Sequence, residues 1–186
     1  MRKTWAVAGG LLMLFAATTF SQSGRPTPPV TFVTAADVTK VLNAPNAAAD
    51  NPIKIVDMGK YNISLAVLKR GKTTPGAPVS GINHTQVTEV YYVVSGAATL
   101  VTGTDVKDVR PIPANSAIVR EAVGPSNTAT FVKWSESRPI VPGDMVIIPA
   151  GVYHGFSEIA DHVDYVSMRP DVEKVLPAGY INPAIK

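Results

Sequence analysis

The stretch GAPVSGINHTQVTEVYYVVSG, residues 76–96, sets a histidine and a glutamate on either side of a short polar bend, ahead of an apolar run. A second stretch, GDMVIIPAGVYHGFSE at residues 143–158, holds a short apolar run, a Pro-x-Gly turn and another histidine. Short apolar runs bounded by glycine and proline are typical of strands joined by tight turns. Both stretches therefore predict strands with histidine or carboxylate side chains near their ends.

Strand geometry gives these residues a common direction. Side chains alternate along a strand, so residues 89, 91 and 93 share one face. The bend between His84 and Glu89 lets both side chains face the interior of a barrel, and a barrel can bring His154 opposite them. Two imidazoles and one carboxylate are a common ligand set for Fe(II), Mn(II), Zn(II), Ni(II) or Cu(II). These three residues are therefore candidate ligands of one divalent metal ion of unknown identity.

The first stretch resembles the first motif of the cupin superfamily. That motif reads Gly, five residues, His-x-His, three or four residues, Glu, six residues and Gly. Gly76, His84, Glu89 and Gly96 fit this spacing, whereas Ile82 stands at the first histidine position. The resemblance implies three histidines and one glutamate around a metal, and this chain supplies only two of those histidines. The remaining facial triad would leave coordination positions open for a substrate or oxygen.

The second stretch resembles the second cupin motif, which reads Gly, five residues, Pro-x-Gly, two residues, His, three residues and Asn. Gly143, Pro149, Gly151 and His154 fit, and Glu158 replaces the final Asn. Two motifs in the right order are more specific than one. The resemblance implies an all-β fold, the cupin double-stranded β-helix or jelly-roll barrel. We expect a single domain over residues 24–186 with its core at 53–170.

The rest of the chain is interpreted from local patterns. Thr34 followed by Asp37 predicts the start of one short N-terminal helix, which ends at Pro45 and Asn46. Strands are predicted within seven segments: 53–58, 61–68, 90–94, 98–102, 117–120, 130–134 and 145–148, with a last one at 163–168. The segments 90–94 and 98–102 look like a hairpin, and 104–113 looks irregular. In the second segment, Ile63, Leu65 and Val67 share one face. The proline-rich tail from Pro170 is expected to pack over the barrel or over a neighbouring subunit.

Several further residues are candidates with weaker support. Tyr91, on the same strand face as Glu89, and Glu158 could move a proton during catalysis. Gln86 could complete the cofactor site through its amide oxygen, although it is out of register with the ligand positions that the family uses. His162 lies in a polar turn and is expected to be exposed. Arg169 could hold an anionic substrate, but a surface position is the default expectation for arginine.

The amino-terminal end predicts export. Arg2 and Lys3 precede an apolar run from Trp5 to Phe20, followed by small and polar residues, which is the pattern of a signal peptide over residues 1–23. A membrane anchor is the alternative, but the run is short for a spanning helix. The prediction is a secreted or periplasmic protein with no membrane association after cleavage.

Composition narrows the possible functions. Without Arg2 and Lys3 the chain has 15 basic and 14 acidic residues and no basic cluster, so nucleic acid is not an expected partner. The absence of cysteine excludes thiolate ligands and cysteine nucleophiles.

Three functions stay open at this stage. The first is a metal-dependent enzyme of oxygenase, isomerase or lyase type on a small molecule. The second is a non-catalytic module that binds a small ligand with a structural metal or none. The third is a structural barrel in which the motifs persist only as turns, and the buried carboxylate of Glu89 argues against it because an uncompensated charge is costly to bury. Family resemblance also implies a homodimer.

Overall fold

The computed structural model describes residues 28–45 and 47–186. The predicted signal peptide lies outside the described residues, as does Asn46. None of the helices in the described ranges is long and apolar enough to cross a membrane.

Short strands make up most of the described chain. The single α-helix of these ranges, α1, spans Ala35–Leu42. The strands are Asp50–Asp57 (β1), Asn62–Gly71 (β2), Ser80–His84 (β3), Glu89–Gly96 (β4), Ala98–Gly103 (β5), Asp105–Pro111 (β6), Ser126–Lys133 (β7), Glu136–Ile140 (β8), Met145–Ile148 (β9), Tyr153–Glu158 (β10) and His162–Asp171 (β11). A π-helical turn at Val119–Val123 and a 3-10 turn at Pro183–Ile185 complete the elements.

The strands form two antiparallel sheets. The first sheet has the order β1-β2-β11-β4-β9, and the second has the order β6-β7-β3-β10-β5-β8. Consecutive strands often lie in different sheets, as in a jelly roll. The interior between the sheets is filled by a cluster that includes Leu68, Tyr91, Leu100, Val163 and Tyr165. The predicted all-β jelly-roll barrel with a short N-terminal helix is confirmed.

The helix begins where the sequence indicates. The Thr34 hydroxyl accepts a hydrogen bond from the Asp37 amide while the Asp37 carboxylate accepts one from the Thr34 amide, so both residues cap the first turn. The helix packs Val41 onto Ile53 and Val67, on the outer face of β1 and β2. The shared face of Ile63, Leu65 and Val67 is therefore the outer face of β2.

The other face of β2 points into the barrel. Its inward positions alternate as strand geometry requires, and they include Asn62, Ser64, Ala66 and Leu68. Arg70 follows in the same alternation and lines the interior. Arg70 therefore lies on the same interior surface as the three candidate metal ligands.

The predicted hairpin between β4 and β5 is wrong. β4 pairs with β11 and β9, whereas β5 pairs with β10 and β8 in the other sheet. The chain changes sheets at Gly96, which has φ +69°, and a Cβ there would lie 2.0 Å from the carbonyl oxygen of His162. Only glycine fits this crossing, because the backbone of β11 passes directly against it.

Two other local predictions are wrong. Residues 105–111, expected to be irregular, form the edge strand β6, whose side chains are almost all exposed, so no apolar alternation marks it. The segment 117–120, expected to be a strand, is helical and leads into the turn Val119–Val123. That turn buries Val119, Ala122 and Val123 at helical spacing, which a short apolar run does not distinguish from a strand.

The tail packs over its own barrel. The Ile55 amide donates to the Tyr180 carbonyl, and the side-chain amide of Asn182 donates to the Pro52 carbonyl. Leu176 is buried, and its amide donates to the Asp171 carboxylate. Of the two positions expected for the tail, the structure therefore supports the one against the barrel.

Candidate metal centre

The three predicted ligands come together inside the barrel. His84 ends β3, Glu89 begins β4, and His154 lies in β10, so the second sheet supplies both imidazoles and the first sheet supplies the carboxylate. One ligand atom from each residue lies within 4.8 Å of the other two. The Glu89 Oε2 atom is 3.2 Å from His84 Nε2 and 3.1 Å from His154 Nε2. All three side chains are buried.

Hydrogen bonds on the far side of each ring fix the imidazole tautomers. The Ser126 hydroxyl donates to the Gly124 carbonyl, so at 2.8 Å from His84 Nδ1 it can only accept that ring's proton. His154 Nδ1 is 3.2 Å from the Val152 carbonyl, which also accepts only. In the neutral rings both protons therefore lie on Nδ1, and both Nε2 lone pairs point into the cluster.

Three electron-pair donors thus converge without a proton between them. Two bare Nε2 atoms lie beside a carboxylate oxygen, an arrangement that repels unless a cation or extra protons occupy it. Burial lowers the pKa of His84, although Glu89 opposes this shift, so the ring favours the neutral form that coordinates a metal. Histidine ligands in metal sites are oriented in this way by a partner on the other nitrogen. The donor set and its orientation fit a divalent ion.

Glu89 is also held by groups that sequence reasoning did not identify. Its Oε1 atom accepts hydrogen bonds from Arg169 Nε at 2.7 Å and from the Ser167 hydroxyl at 3.0 Å. The Tyr91 hydroxyl donates to Oε2 at 2.8 Å. One carboxylate oxygen is therefore directed towards the imidazoles, and the other is fixed by Arg169 and Ser167.

Arg169 is fully buried, which corrects the surface position expected for it. Besides Glu89, its guanidinium donates to both Asp50 carboxylate oxygens and to the Ala122 carbonyl. Alternation along β11 is the signal that would have indicated its burial. The inward positions of this strand are Val163, Tyr165, Ser167 and Arg169, in that order. Asp50 carried no comparable signal, since it precedes the apolar part of β1.

The charges around Glu89 keep it ionised. Burial is the largest influence and would raise the pKa of the carboxyl, but the charge of Arg169 together with His154 and His84 more than offsets it and holds the pKa well below its usual range. The imidazoles contribute to this lowering only when they carry a proton on Nε2. Arg169 itself has a raised pKa, because Asp50 and Glu89 more than offset its burial. The buried carboxylate of Glu89 therefore does not by itself require a metal, since Arg169 already supplies a cation.

Tyr91 lies in the cluster, where alternation from Glu89 places it. Burial and the adjacent Glu89 raise the pKa of its hydroxyl well above the usual value, so the group keeps its proton. Its ring is 4.3 Å from that of Tyr165 and 6.1 Å from that of His154, measured between centroids. Tyr91 can therefore orient Glu89 and also face a bound molecule.

A cavity of about 330 Å³ adjoins the cluster. Ile82, Tyr91 and His154 line this cavity and also line the small void around the cluster. Ile82 pairs with His154 across β3 and β10. The position where the cupin motif has its first histidine is therefore an apolar wall between the candidate metal centre and the cavity.

Three other candidates lie away from the cluster. Gln86 is exposed in the bend between β3 and β4, and Glu158 is exposed at the end of β10. Neither residue lines the void or the cavity. His162 Nδ1 lies 2.7 Å from the Asp161 carboxylate, and the ring is partly exposed. The structure therefore does not bring Gln86 to a cofactor position or Glu158 to a proton-transfer position.

Similarity to known proteins is found among solved structures only, at low sequence identity. No protein-family model matches the chain, and no curated protein matches its sequence. Among solved structures, BH2720 from Bacillus halodurans is similar over 83% of this chain and 89% of its own, at 13% identity and a TM-score of 0.46.

Two further structures show the same kind of similarity. A protein with a double-stranded β-helix domain from Klebsiella pneumoniae is similar over 72% of this chain and 86% of its own, at 15% identity and a TM-score of 0.39. Iron(II) HppE matches over 59% of this chain at 12% identity and a TM-score of 0.36, and the match spans about half of its length, 48%.

The barrel, its strand order and the two motifs define a protein of the cupin fold. Three of the motif residues build the cluster, as the resemblance implies: His84 ends β3, Glu89 begins β4 and His154 is the second residue of β10. Within this fold the chain carries a His84, Glu89 and His154 group with the donor chemistry of a divalent-metal site.

Proposed function

We propose that this protein is a metal-dependent enzyme of oxygenase, isomerase or lyase type that acts on a small molecule. One divalent ion, Fe, Mn, Zn, Ni or Cu, would be held by His84, Glu89 and His154. The observation that carries the proposal is the convergence of two Nε2 lone pairs on Glu89 Oε2 beside a cavity. A ligand-binding site of about 300 Å³ or more is large enough for a small substrate.

Different residues of the chain would orient the metal ligands and contact the substrate. Ser126 and the Val152 carbonyl orient the two imidazoles, and Arg169 with Ser167 orients the carboxylate. When bound, the ion would supply Lewis-acid polarisation or activation of a substrate atom. The Tyr91 hydroxyl donates its proton to Glu89 and faces the cavity, so it can accept a hydrogen bond from a substrate hydroxyl or N–H group there. Ile82 leaves the cavity side of the centre free of a fourth protein ligand.

Elemental mass spectrometry on the purified protein tests the metal. After reconstitution with each of the five ions in turn, we expect close to one ion per chain for at least one of them. His154→Ala and His84→Ala should lose the ion. His162→Ala is the matched control, because that ring lies outside the cluster, and it should keep the ion. Absence of metal from the wild type after all five reconstitutions would refute the proposal.

A non-catalytic ligand-binding barrel is the alternative function. The observation in its favour is the salt bridge from Arg169, which compensates Glu89 without a metal. Turnover separates the two functions. Consumption of any small molecule from a substrate panel, or oxygen uptake, by the metal-loaded protein but not by His154→Ala would support the enzyme. Retention of the molecule unchanged would support the binding module.

Export and pairing belong to the same proposal. The charged start and apolar run support a secreted or periplasmic location, testable by the mass of the mature protein in the culture medium or the periplasm.

The outer face of β4 and β9 supports a homodimer, since Tyr92 and Met145 pair there and both are exposed, as is Ile147. Size-exclusion chromatography with light scattering should give a dimer for the wild type and a monomer for Ile147→Asp.

A further inference from the structure

The cavity beside the cluster has a distinctive charge pattern. Among its lining residues Arg70 is the only one with a permanent charge, and no carboxylate lines it. Phe156, Ile159 and Ile118 supply apolar walls. A cavity with one fixed cation and apolar walls complements a small organic anion better than a neutral or cationic molecule.

Arg70 is positioned to present its guanidinium to this cavity. It lies on the inward face of β2, and its Nε donates to the Tyr165 hydroxyl at 3.3 Å. Within residues 28–45 and 47–186, its two Nη groups have no hydrogen-bond partner in the protein. The guanidinium is therefore held at one nitrogen and keeps the pair of donors that bind a carboxylate or phosphate in bidentate fashion.

Arg70 also reaches the candidate metal centre. It lines the small void that contains His84, Glu89 and His154 as well as the larger cavity. Tyr165 and Asp50 outweigh the effect of burial and raise the pKa of Arg70, so it stays cationic. Asp50 is already bonded through both oxygens to Arg169, and a divalent ion on the triad would leave an excess of positive charge for an anion to balance.

We propose that Arg70 forms an anion-binding subsite and that the substrate is a small organic acid whose carboxylate or phosphate group pairs with Arg70 while its body lies against Phe156 and Ile159. The inference that the bound acid is a substrate rests on the proposed function, but anion binding itself needs no metal. The acid group would hold the molecule with its adjoining carbons near the wall formed by Ile82 and His154. Arg70 would act as a specificity-determining residue.

The test uses chelator-treated, metal-free protein and isothermal titration calorimetry. The probes are benzoate and its neutral analogue benzamide, which share shape but differ in charge. We expect benzoate to bind at least about tenfold more tightly than benzamide, since charge-assisted hydrogen bonds exceed neutral ones. Arg70→Met should remove this preference and Arg70→Lys should keep part of it. Arg138→Met, an exposed arginine outside this cavity, is the matched control and should bind as the wild type does.

Competition by inorganic phosphate identifies the acid group. Displacement of benzoate by phosphate at similar concentration would extend the ligand class to phosphate esters, and failure to displace it would restrict the class to carboxylates. Equal binding of benzoate and benzamide, or an unchanged preference in Arg70→Met with a native unfolding curve, would overturn the subsite. Because these measurements contain no metal, a negative result here leaves the metal proposal intact, and a failure of metal binding leaves this one intact.

Discussion

Arg169 Nε lies 2.7 Å from Glu89 Oε1, and both side chains are fully enclosed in the barrel. The bond joins β11 to the first residue of β4, so it fixes the candidate metal ligand to the centre of the first sheet. The same guanidinium binds Asp50 at the start of β1. One cation therefore compensates two buried carboxylates and orients the one that faces the imidazoles.

Removal of Arg169 should destabilise the protein strongly. Arg169→Met leaves Glu89 and Asp50 buried without their cation, and breaking such a pair costs about 3–5 kcal/mol of unfolding free energy. Urea denaturation followed by circular dichroism measures the loss. Arg138→Met, at an exposed position, should stay within about 0.5 kcal/mol of the wild type. Similar losses in the two variants would contradict a special role for Arg169.

Ser126 should control metal affinity without touching the metal. Its hydroxyl accepts the Nδ1 proton of His84, so Ser126→Ala frees the ring to rotate and to change tautomer. Loss of such a partner weakens metal binding by about 10–100-fold. Competition with a chromophoric chelator measures the dissociation constant. Ser157→Ala, on β10 away from the cluster, is the control, and an equal effect there would mean that Ser126 does not orient His84.

Restoring the motif histidine should strengthen the site. Ile82 pairs with His154 and lines the void around the cluster, so Ile82→His places a third imidazole beside the other two. We expect the dissociation constant for Zn(II) to fall by about tenfold or more, because each added ligand raises affinity. Ile82→Val keeps the wall apolar and should leave the constant unchanged. If Ile82→His binds Zn(II) no better than Ile82→Val, position 82 does not face the ion.

The crossing at Gly96 should tolerate no side chain. Gly96→Ala would place a Cβ 2.0 Å from the His162 carbonyl oxygen at a φ of +69°, and we expect a loss of more than about 2 kcal/mol in unfolding free energy. Gly143→Ala separates the two causes, because Gly143 has φ +96° but an added Cβ there meets nothing within 4 Å. It should lose only about 1 kcal/mol from backbone strain. Equal losses in urea denaturation would show that the contact with β11 is not limiting.

The sequence predicts the barrel and the candidate ligand triad because the two cupin-like motifs that imply them are defined by local spacing. The turn glycines, Pro149 and the alternation from Glu89 to Tyr91 are fixed by strand geometry within a few residues. Local spacing does not predict which strands pair with each other, because tertiary packing decides that pairing. The hairpin after Val94 looks plausible locally, yet β4 and β5 find partners in different sheets.

The charged partners of the site were harder to foresee. Arg169 lies near the end of β11 and precedes Pro170, so the general tendency of arginine to be exposed predicts a surface position in spite of its inward register. Arg70 and Asp50 lie at the ends of their strands, where alternation gives little evidence of burial. Their importance follows from contacts between β1, β2 and β11, which no single segment encodes.

The origin of the ligands in two sheets has a consequence for motion. An ion bound to His84 and His154 on one side and to Glu89 on the other would crosslink the two sheets, so it could bind only when they are closed. Binding to the closed form would then suppress the opening fluctuations of both sheets together. Backbone amides of β4 and of β10 should slow in hydrogen–deuterium exchange by the same factor on metal addition, although they share no backbone hydrogen bond with each other.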